Sequence, residues 1–345
     1  MPIDNLVLIT GAGASRELGG AQQFLPLMTD WAAILRKALD QEELGLSALV
    51  GIHEGQTGPE FEQAVGDFLA WHQVLPLAAR YLPFGLDRAA RLQGDVRDWD
   101  QRASSRASKV VGVLHRTLYE QFGGGRINPE AAKTSYGALL GALEFSSGRT
   151  ITVATTNYDP GAEVAFAELG LPPDVGEAAG PGGHRVLRPA GLCDRARHGV
   201  VPVLHLHGAV GWWTQPDGTV RILPPGTPYG DYDGAPTVLL PDPQKKPALV
   251  PAVRDLWEQF EVALSQATHV LLVGHSLHDP VLIDQVQRHG RRTAVGVYAP
   301  PGGPPDPTEQ WSRMQAQLPS STLVPMRFGP HFWVDEAPLR LWLAA

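Results

Sequence analysis

"LVLITGAGAS", Leu6 to Ser15, is the stretch on which the reading of the fold turns. Leu6 to Thr10 show no polar alternation, the mark of a strand buried on both faces, as in a parallel sheet. The run stops at Gly11 and Gly13, where bare backbone can approach a pyrophosphate and a following helix N-terminus favours negative charge. The third glycine of the dinucleotide fingerprint is missing, so a tight structural turn reads equally well.

The same pattern recurs along the chain. Thr150 to Ala154 is an apolar run that surfaces in "TTNYDP", Thr155 to Pro160, and "VVPVLHLHG", Val200 to Gly208, supplies another strand. "HVLLVG", His269 to Gly274, runs into "HSLHDP", and Thr293 to Tyr298 follows as a further strand. Between the strands, helical spacing predicts helices over Asp30 to Leu39, Val253 to Ala267 and Val281 to Arg288. A loop rich in Pro and Gly, Pro224 to Pro251, precedes the second of these. Alternating strands and helices of this kind define an α/β fold, a Rossmann-like doubly wound parallel sheet.

Residues 42–148 lack convincing strands. Helical period over Phe61 to Trp71, Ala107 to Phe122 and Pro129 to Phe145 makes them a mainly helical subdomain inserted into a core of residues 1–41 and 149–345. Asn128 and Pro129 are placed as N-cap and first helical residue of the last of these.

Composition sets outer limits. Hydrophobic residues make up 43% and charged residues 19% of 345, enough apolar material for a sizeable core and too little charge for disorder. A formal charge of −8 argues against nucleic-acid binding by overall charge. The local run Arg88, Arg91, Arg97, Arg102, Arg106, Lys109 and Arg116 reads as a solvated helical face, or else as a partner surface. One cysteine, Cys193, excludes an internal disulfide and a zinc site made of several thiolates. No basic segment precedes the first apolar run and no stretch approaches a membrane span, which points to the cytoplasm.

In doubly wound sheets ligands gather beyond the carboxyl ends of the strands. "GAGAS", "TTNYD", "HLHG" and "GHSLHD" are all expected at that edge. Asn157 and Asp159 are common turn formers, and nothing in "TTNYD" alone requires more. His205 and His207 fall on one strand face, as half-buried hydrogen-bonded side chains, or with His207 as a base at the strand end. A metal is not expected, because two histidines without further ligands make an incomplete site. Gly274 and Ser276 suit the adenosine half of a dinucleotide, and Asp279 suits a helix N-cap. A hydrolase nucleophile elbow is excluded at Ser276, since the residue two further on is His278 rather than glycine.

In this order the four motifs, Gly11 to Ser15, Thr155 to Asp159, His205 to Gly208 and Gly274 to Asp279, resemble the Sir2 (sirtuin) superfamily. The resemblance covers the α/β core and leaves out residues 42–148. It implies NAD as the substrate, Asn157 and His207 as catalytic residues, Ala12 and Ser15 on the phosphate side, Asp159 at the nicotinamide carboxamide, and Gly274 and Ser276 at the adenosine. Gly11, Gly13 and Thr156 complete the expected cofactor-binding set. Sirtuin deacylases carry a four-cysteine zinc module, and an F-G-E stretch after the H-G pair that holds an acyl-lysine peptide. One cysteine and "AVGWWTQPDG" after Gly208 match neither. The segment from Pro247 to Pro280 is similar to bacterial SIR2-like proteins of antiphage defence, which hydrolyse NAD to ADP-ribose and nicotinamide. That activity is the expectation, with a non-catalytic NAD or ADP-ribose sensor as the alternative and deacylation or ADP-ribosyl transfer behind both. A separate protein partner or a second copy of the chain is also expected, without nucleic acid or membrane. The loop around Gly19, Gly20 and Pro26 is a candidate to close over the nicotinamide end.

Overall fold

The computed structural model describes residues 4–19, 24–86, 95–145, 149–224, 227–230, 235–242, 247, 250–289, 292–299 and 309–344. In chain order the first elements are β1 (Asn5–Thr10), α1 (Ala12–Ser15), α2 (Met28–Glu42), α3 (Leu46–Val50), α4 (Gly58–Leu86), α5 (Asp95–Phe122) and α6 (Pro129–Ala142). The middle of the chain gives β2 (Thr150–Thr155), α7 (Gly161–Glu168), β3 (Pro173–Asp174), β4 (Glu177–Ala179), β5 (Arg185–Leu187), β6 (Val201–His205), β7 (Gly208–Thr214), β8 (Val220–Ile222) and β9 (Ala235–Val238). The last part gives α8 (Pro251–Gln266), β10 (His269–Val273), α9 (Pro280–His289), β11 (Thr293–Tyr298), α10 (Glu309–Gln317), β12 (Thr322–Arg327), β13 (Trp333–Val334) and α11 (Glu336–Ala344).

The main sheet runs β13-β12-β11-β10-β1-β2-β6-β3, parallel throughout except for the edge strand β13. This is the doubly wound Rossmann-like fold, and β1 shows why its strands read as unbroken apolar runs. Val7 and Ile9 face a core shared with α8 and α9 through Leu256, Phe260, Leu282 and Val286. Leu6 and Leu8 face the opposite core, where Tyr136, Phe166 and Trp342 are buried. Burying each such aromatic stabilises by about 1.5–3 kcal/mol, so both faces must stay apolar.

A second sheet, β4-β5-β8-β7-β9, is antiparallel and carries Trp212 and Trp213 on β7. Sequence periodicity placed one strand over 200–208 and a plain loop over 224–251. The chain instead leaves β6 at His205 and re-enters as β7 at Gly208, and β9 lies inside the predicted loop. Gly208 makes this turn possible with φ +77, and a Cβ there would lie 2.0 Å from the Thr237 carbonyl oxygen.

The residues divide into two compact units, 27–120 with 240–244 and the remainder of the chain. In the helical unit Trp31 meets Phe61 edge-on at 5.4 Å. Arg106 and Lys109 pair with Glu43 at 2.8 and 2.9 Å, and Arg116 with Glu42 at 3.1 Å, so these members of the basic run are charge-matched within their own unit. Half-exposed pairs of this kind contribute little to stability, since water and salt screen them. Arg88 and Arg91, like Gly20 in the predicted closing loop, lie outside the described residues.

Helix α6 belongs to the larger unit, and α2 to the helical one. Asn128 caps α6 by accepting from the Glu130 and Ala131 N–H groups at 3.0 and 3.1 Å. Its own N–H donates to the Leu18 carbonyl at 2.8 Å, and Tyr136 packs edge-on to Phe166 and Phe328. These contacts tie α6 to the sheet.

Candidate functional site

The register of the parallel strands brings their carboxyl ends into one row. Val273, Thr10, Thr155 and His205 are successive cross-strand partners on β10, β1, β2 and β6. The residues that follow these positions are the four motifs. The strand order reverses about β1, which makes this edge the switch point at which ligands of such sheets bind.

Two of the motifs interlock. Gly11 N–H donates to the Val273 carbonyl at 3.0 Å and Gly13 N–H to the Gly274 carbonyl at 2.9 Å. A Cβ on Gly11 would stand 2.7 Å from the Gly274 oxygen, and one on Gly13 would stand 3.0 Å from it. The bare backbone that the sequence offers to a pyrophosphate is therefore used to admit the neighbouring loop. Helix α1 is a single turn of four residues that passes into a 3-10 segment at Arg16–Gly19. Next to Gly274, Leu277 is fully buried at φ +57, a left-handed backbone that costs roughly 1–2 kcal/mol for a residue with a side chain. The N–H of Leu277 donates to His275 Nδ1 at 2.9 Å, while Ser276 is exposed on the same loop.

Asn157, Ser15 and Asp159 form one buried chain of hydrogen bonds. Asn157 Nδ2 donates to the Gly11 carbonyl at 3.0 Å and to Ser15 Oγ at 2.6 Å. A carbonyl can only accept, so this fixes which side-chain atom of Asn157 is nitrogen. Its Oδ1 accepts no hydrogen bond among the described residues. Ser15 Oγ donates onward to Asp159 Oδ1 at 3.1 Å, which also accepts from Gly161 N–H at 2.9 Å. Asp159 Oδ2 is buried with no hydrogen-bond partner among the described residues. Thr156 anchors the turn through its N–H to the Thr10 carbonyl at 3.0 Å.

Burial pushes the Asp159 carboxyl up to about 6, against the pull of its Ser15 and Gly161 hydrogen bonds, with the Glu163 charge adding to the rise. The folded protein then binds this proton more tightly than the unfolded chain, so stability falls as pH rises from about 4 to about 6 and stays lower above that. A shift of this size corresponds to about 3 kcal/mol. Asp159→Asn keeps an acceptor for Ser15 and Gly161 and cannot ionise. It is expected to raise stability by about 1–2 kcal/mol at about pH 8, after about 1–2 kcal/mol lost to an unpartnered amide, and to lower stability at about pH 4. Urea denaturation at the two pH values checks the change of sign.

The two histidines diverge. His205, the last residue of β6, is fully buried, with Nδ1 at 3.2 Å from the Asn157 carbonyl and Nε2 at 2.7 Å from Glu163 Oε1. Burial alone would push this imidazole down, but the Glu163 carboxylate and the bond to Asn157 outweigh it and hold its pKa above the usual value. His207 lies beyond the strand, in the turn before Gly208, with Nε2 at 2.9 Å from Asp279 Oδ2. Tyr158 stands beside it, ring centroids 6.3 Å apart, with its hydroxyl donating to the Leu239 carbonyl at 2.6 Å. The Leu239 N–H donates to the His207 carbonyl, and Trp257 Nε1 to the carbonyl of Leu206. The backbone carrying His207 is thus held at its own carbonyl and at that of Leu206.

Sequence reading missed Glu163, and it saw Asp279 as an N-cap alone. The Asp279 Oδ1 does accept from the Val281 and Leu282 N–H groups, at 3.0 and 3.1 Å, which leaves the second oxygen for His207. Cys193 donates to the Gln259 carbonyl, and burial pushes its thiol up to about 12, as expected for an inert packing residue. Among the described residues no group of His, Cys, Asp or Glu is suited to a metal, and no helix is long and apolar enough to cross a membrane.

Fold and strand-end cluster together define a Rossmann-like α/β protein with its polar groups gathered at the switch point. Residues 151–317 match the family model of the SIR2-like domain, so this part of the chain is similar to the Sir2 superfamily. The match contains the motifs at Thr155, His205 and Gly274, while β1 and the turn at Gly11 precede it. No curated protein matches the chain. SIR2-like domains bind NAD, and the match points to a function related to NAD.

Proposed function

We propose that the protein is an NAD glycohydrolase, cleaving the bond between nicotinamide and ribose with water to give nicotinamide and ADP-ribose. The observation that carries this reading is Asp159 Oδ2, a buried acceptor with no donor among the described residues, at the strand end beside Asn157 and Ser15. A buried acceptor left unsatisfied costs about 1–3 kcal/mol, and the carboxamide N–H of nicotinamide is a donor of the right kind.

In the proposed reaction Asp159 orients the nicotinamide, and Asn157 Oδ1 accepts from a ribose hydroxyl or from the attacking water. His207 takes the proton released as water adds to the ribose carbon. Gly274 and Ser276 line the adenosine side, with Ala12, Gly13 and Thr156 toward the phosphates. Gly11 and Ser15 act by holding the Asn157 amide.

The strand after the H-G pair supports hydrolysis over deacylation. β7 is paired with β8 on one side and β9 on the other, so a peptide cannot add to it as a further strand. Similarity of the Pro247 to Pro280 segment to antiphage SIR2-like proteins supports a bacterial defence setting in which NAD is depleted.

Chromatographic assay of nicotinamide from purified protein and NAD tests the reading. Wild-type turnover that drops by ~100-fold or more in Asn157→Ala is the expected result. Calorimetric NAD binding without any nicotinamide release would favour a sensor instead.

A further inference from the structure

The Asp279 carboxylate does two things at once, and the second bears on the chemistry. Its Oδ1 is held by the Val281 and Leu282 N–H groups at the start of α9, and the Asp279 carbonyl accepts the first helical bond, from Ile283 N–H at 3.1 Å. Pro280 fills the first helical position, where a missing N–H is harmless. The carboxylate is thereby fixed in orientation, with Oδ2 directed at His207 Nε2, and both side chains are almost wholly buried. An ionised carboxylate is an acceptor only, so the hydrogen in this bond belongs to the imidazole.

We propose that Asp279 is a positioning residue for His207: through Oδ2 it fixes the imidazole as the Nε2–H tautomer and so makes Nδ1 the atom that accepts a proton. This rests on the NAD-hydrolase reading. The proton released when water attacks passes to Nδ1, and the imidazolium so formed keeps its Nε2–H bond to a carboxylate, which offsets the new charge. Asp279 exchanges no proton and touches no substrate.

Asp279→Asn separates this role from a merely structural tie. Asparagine caps helices as well as aspartate does, and the two backbone donors retain its Oδ1. The atom facing His207 is then an amide NH2, a donor, which makes Nε2 the acceptor and moves the hydrogen to Nδ1. A tie between α9 and the turn before β7 survives this exchange, but the basic atom does not.

The expected result is a fall in kcat of ~100-fold or more with KM for NAD changed only a few-fold and the melting temperature nearly unchanged. Asp279→Ser, which also caps the helix but gives His207 no carboxylate, is expected to lose turnover as well. Nitrogen-15 spectra of labelled protein, with His207 assigned by difference from His207→Gln, should show Nε2–H in the wild type and Nδ1–H in Asp279→Asn. Wild-type turnover in Asp279→Asn, or an unchanged tautomer, overturns the proposal. Wild-type protein that releases no nicotinamide sinks the NAD reading, and the nitrogen-15 signals then decide the Asp279 assignment alone.

Discussion

His207→Gln is expected to lower nicotinamide release by ~1000-fold while leaving the protein folded, and His205→Gln to do the reverse. The two residues are separated by Leu206 alone, so the contrast tests environment rather than location. Glutamine at 207 can still donate to Asp279 Oδ2, which avoids stranding a buried carboxylate, and what disappears is a group able to take a proton at neutral pH. At 205 the imidazole lies between Glu163 and the Asn157 carbonyl, and Glu163 in turn raises the Asp159 carboxyl. His205→Gln therefore removes the imidazole that bridges the Glu163 carboxylate and the Asn157 carbonyl in a buried polar cluster, at a cost of about 3 kcal/mol.

The pH dependence of that cost has a definite sign. His205 titrates above its ordinary value in the folded protein, so its contribution to stability is fully present below about 6.5 and is lost as pH rises through the folded value. The stability gap between wild type and His205→Gln should be widest near pH 6 and narrow in alkali, as read by urea denaturation. Turnover in His205→Gln should stay within ~10-fold of wild type once the folded fraction is allowed for. Equal losses of activity at both positions would remove the distinction between base and scaffold.

What the sequence made legible follows from where side chains are forced. Parallel strands buried on both faces have no polar positions, so β1, β2, β10 and β11 stand out as apolar runs, and register then aligns their ends without further information. The strands β4, β5, β8 and β9 are only three or four residues long and lie among Pro and Gly, too short for alternation to show. Asp279 was half legible: a cap uses one carboxylate oxygen, and no local pattern reveals what meets the other. Glu163 lies a full 42 positions from His205, and helix α7 brings it there. At Gly11 and Gly13 the need for bare backbone was read from the sequence, while the close approach of the Gly274 loop, which also requires it, left no local signal.

That interlock makes Gly274→Ala the substitution with the largest expected effect on stability. Gly274 sits at φ +63, where a residue with a Cβ is already disfavoured. The added carbon would lie 2.1 Å from the Ala14 nitrogen and 2.6 Å from the Gly13 carbonyl carbon, both backbone atoms that no rotamer change can move. Relief requires β10 and β1 to part at their ends, which breaks the Gly13 N–H bond to Gly274 and the Gly11 N–H bond to Val273. The expected loss is about 4 kcal/mol or more, enough to leave much of a marginally stable protein unfolded. Gly141→Ala is the control. It lies exposed in helix α6 with nothing near its missing Cβ, and alanine there should add about 0.5–1 kcal/mol. Thermal denaturation of the two variants, made at the same chemical step of one methyl group, should give opposite signs. A Gly274→Ala protein as stable as the wild type would mean that the two glycine loops do not approach as closely as their hydrogen bonds require.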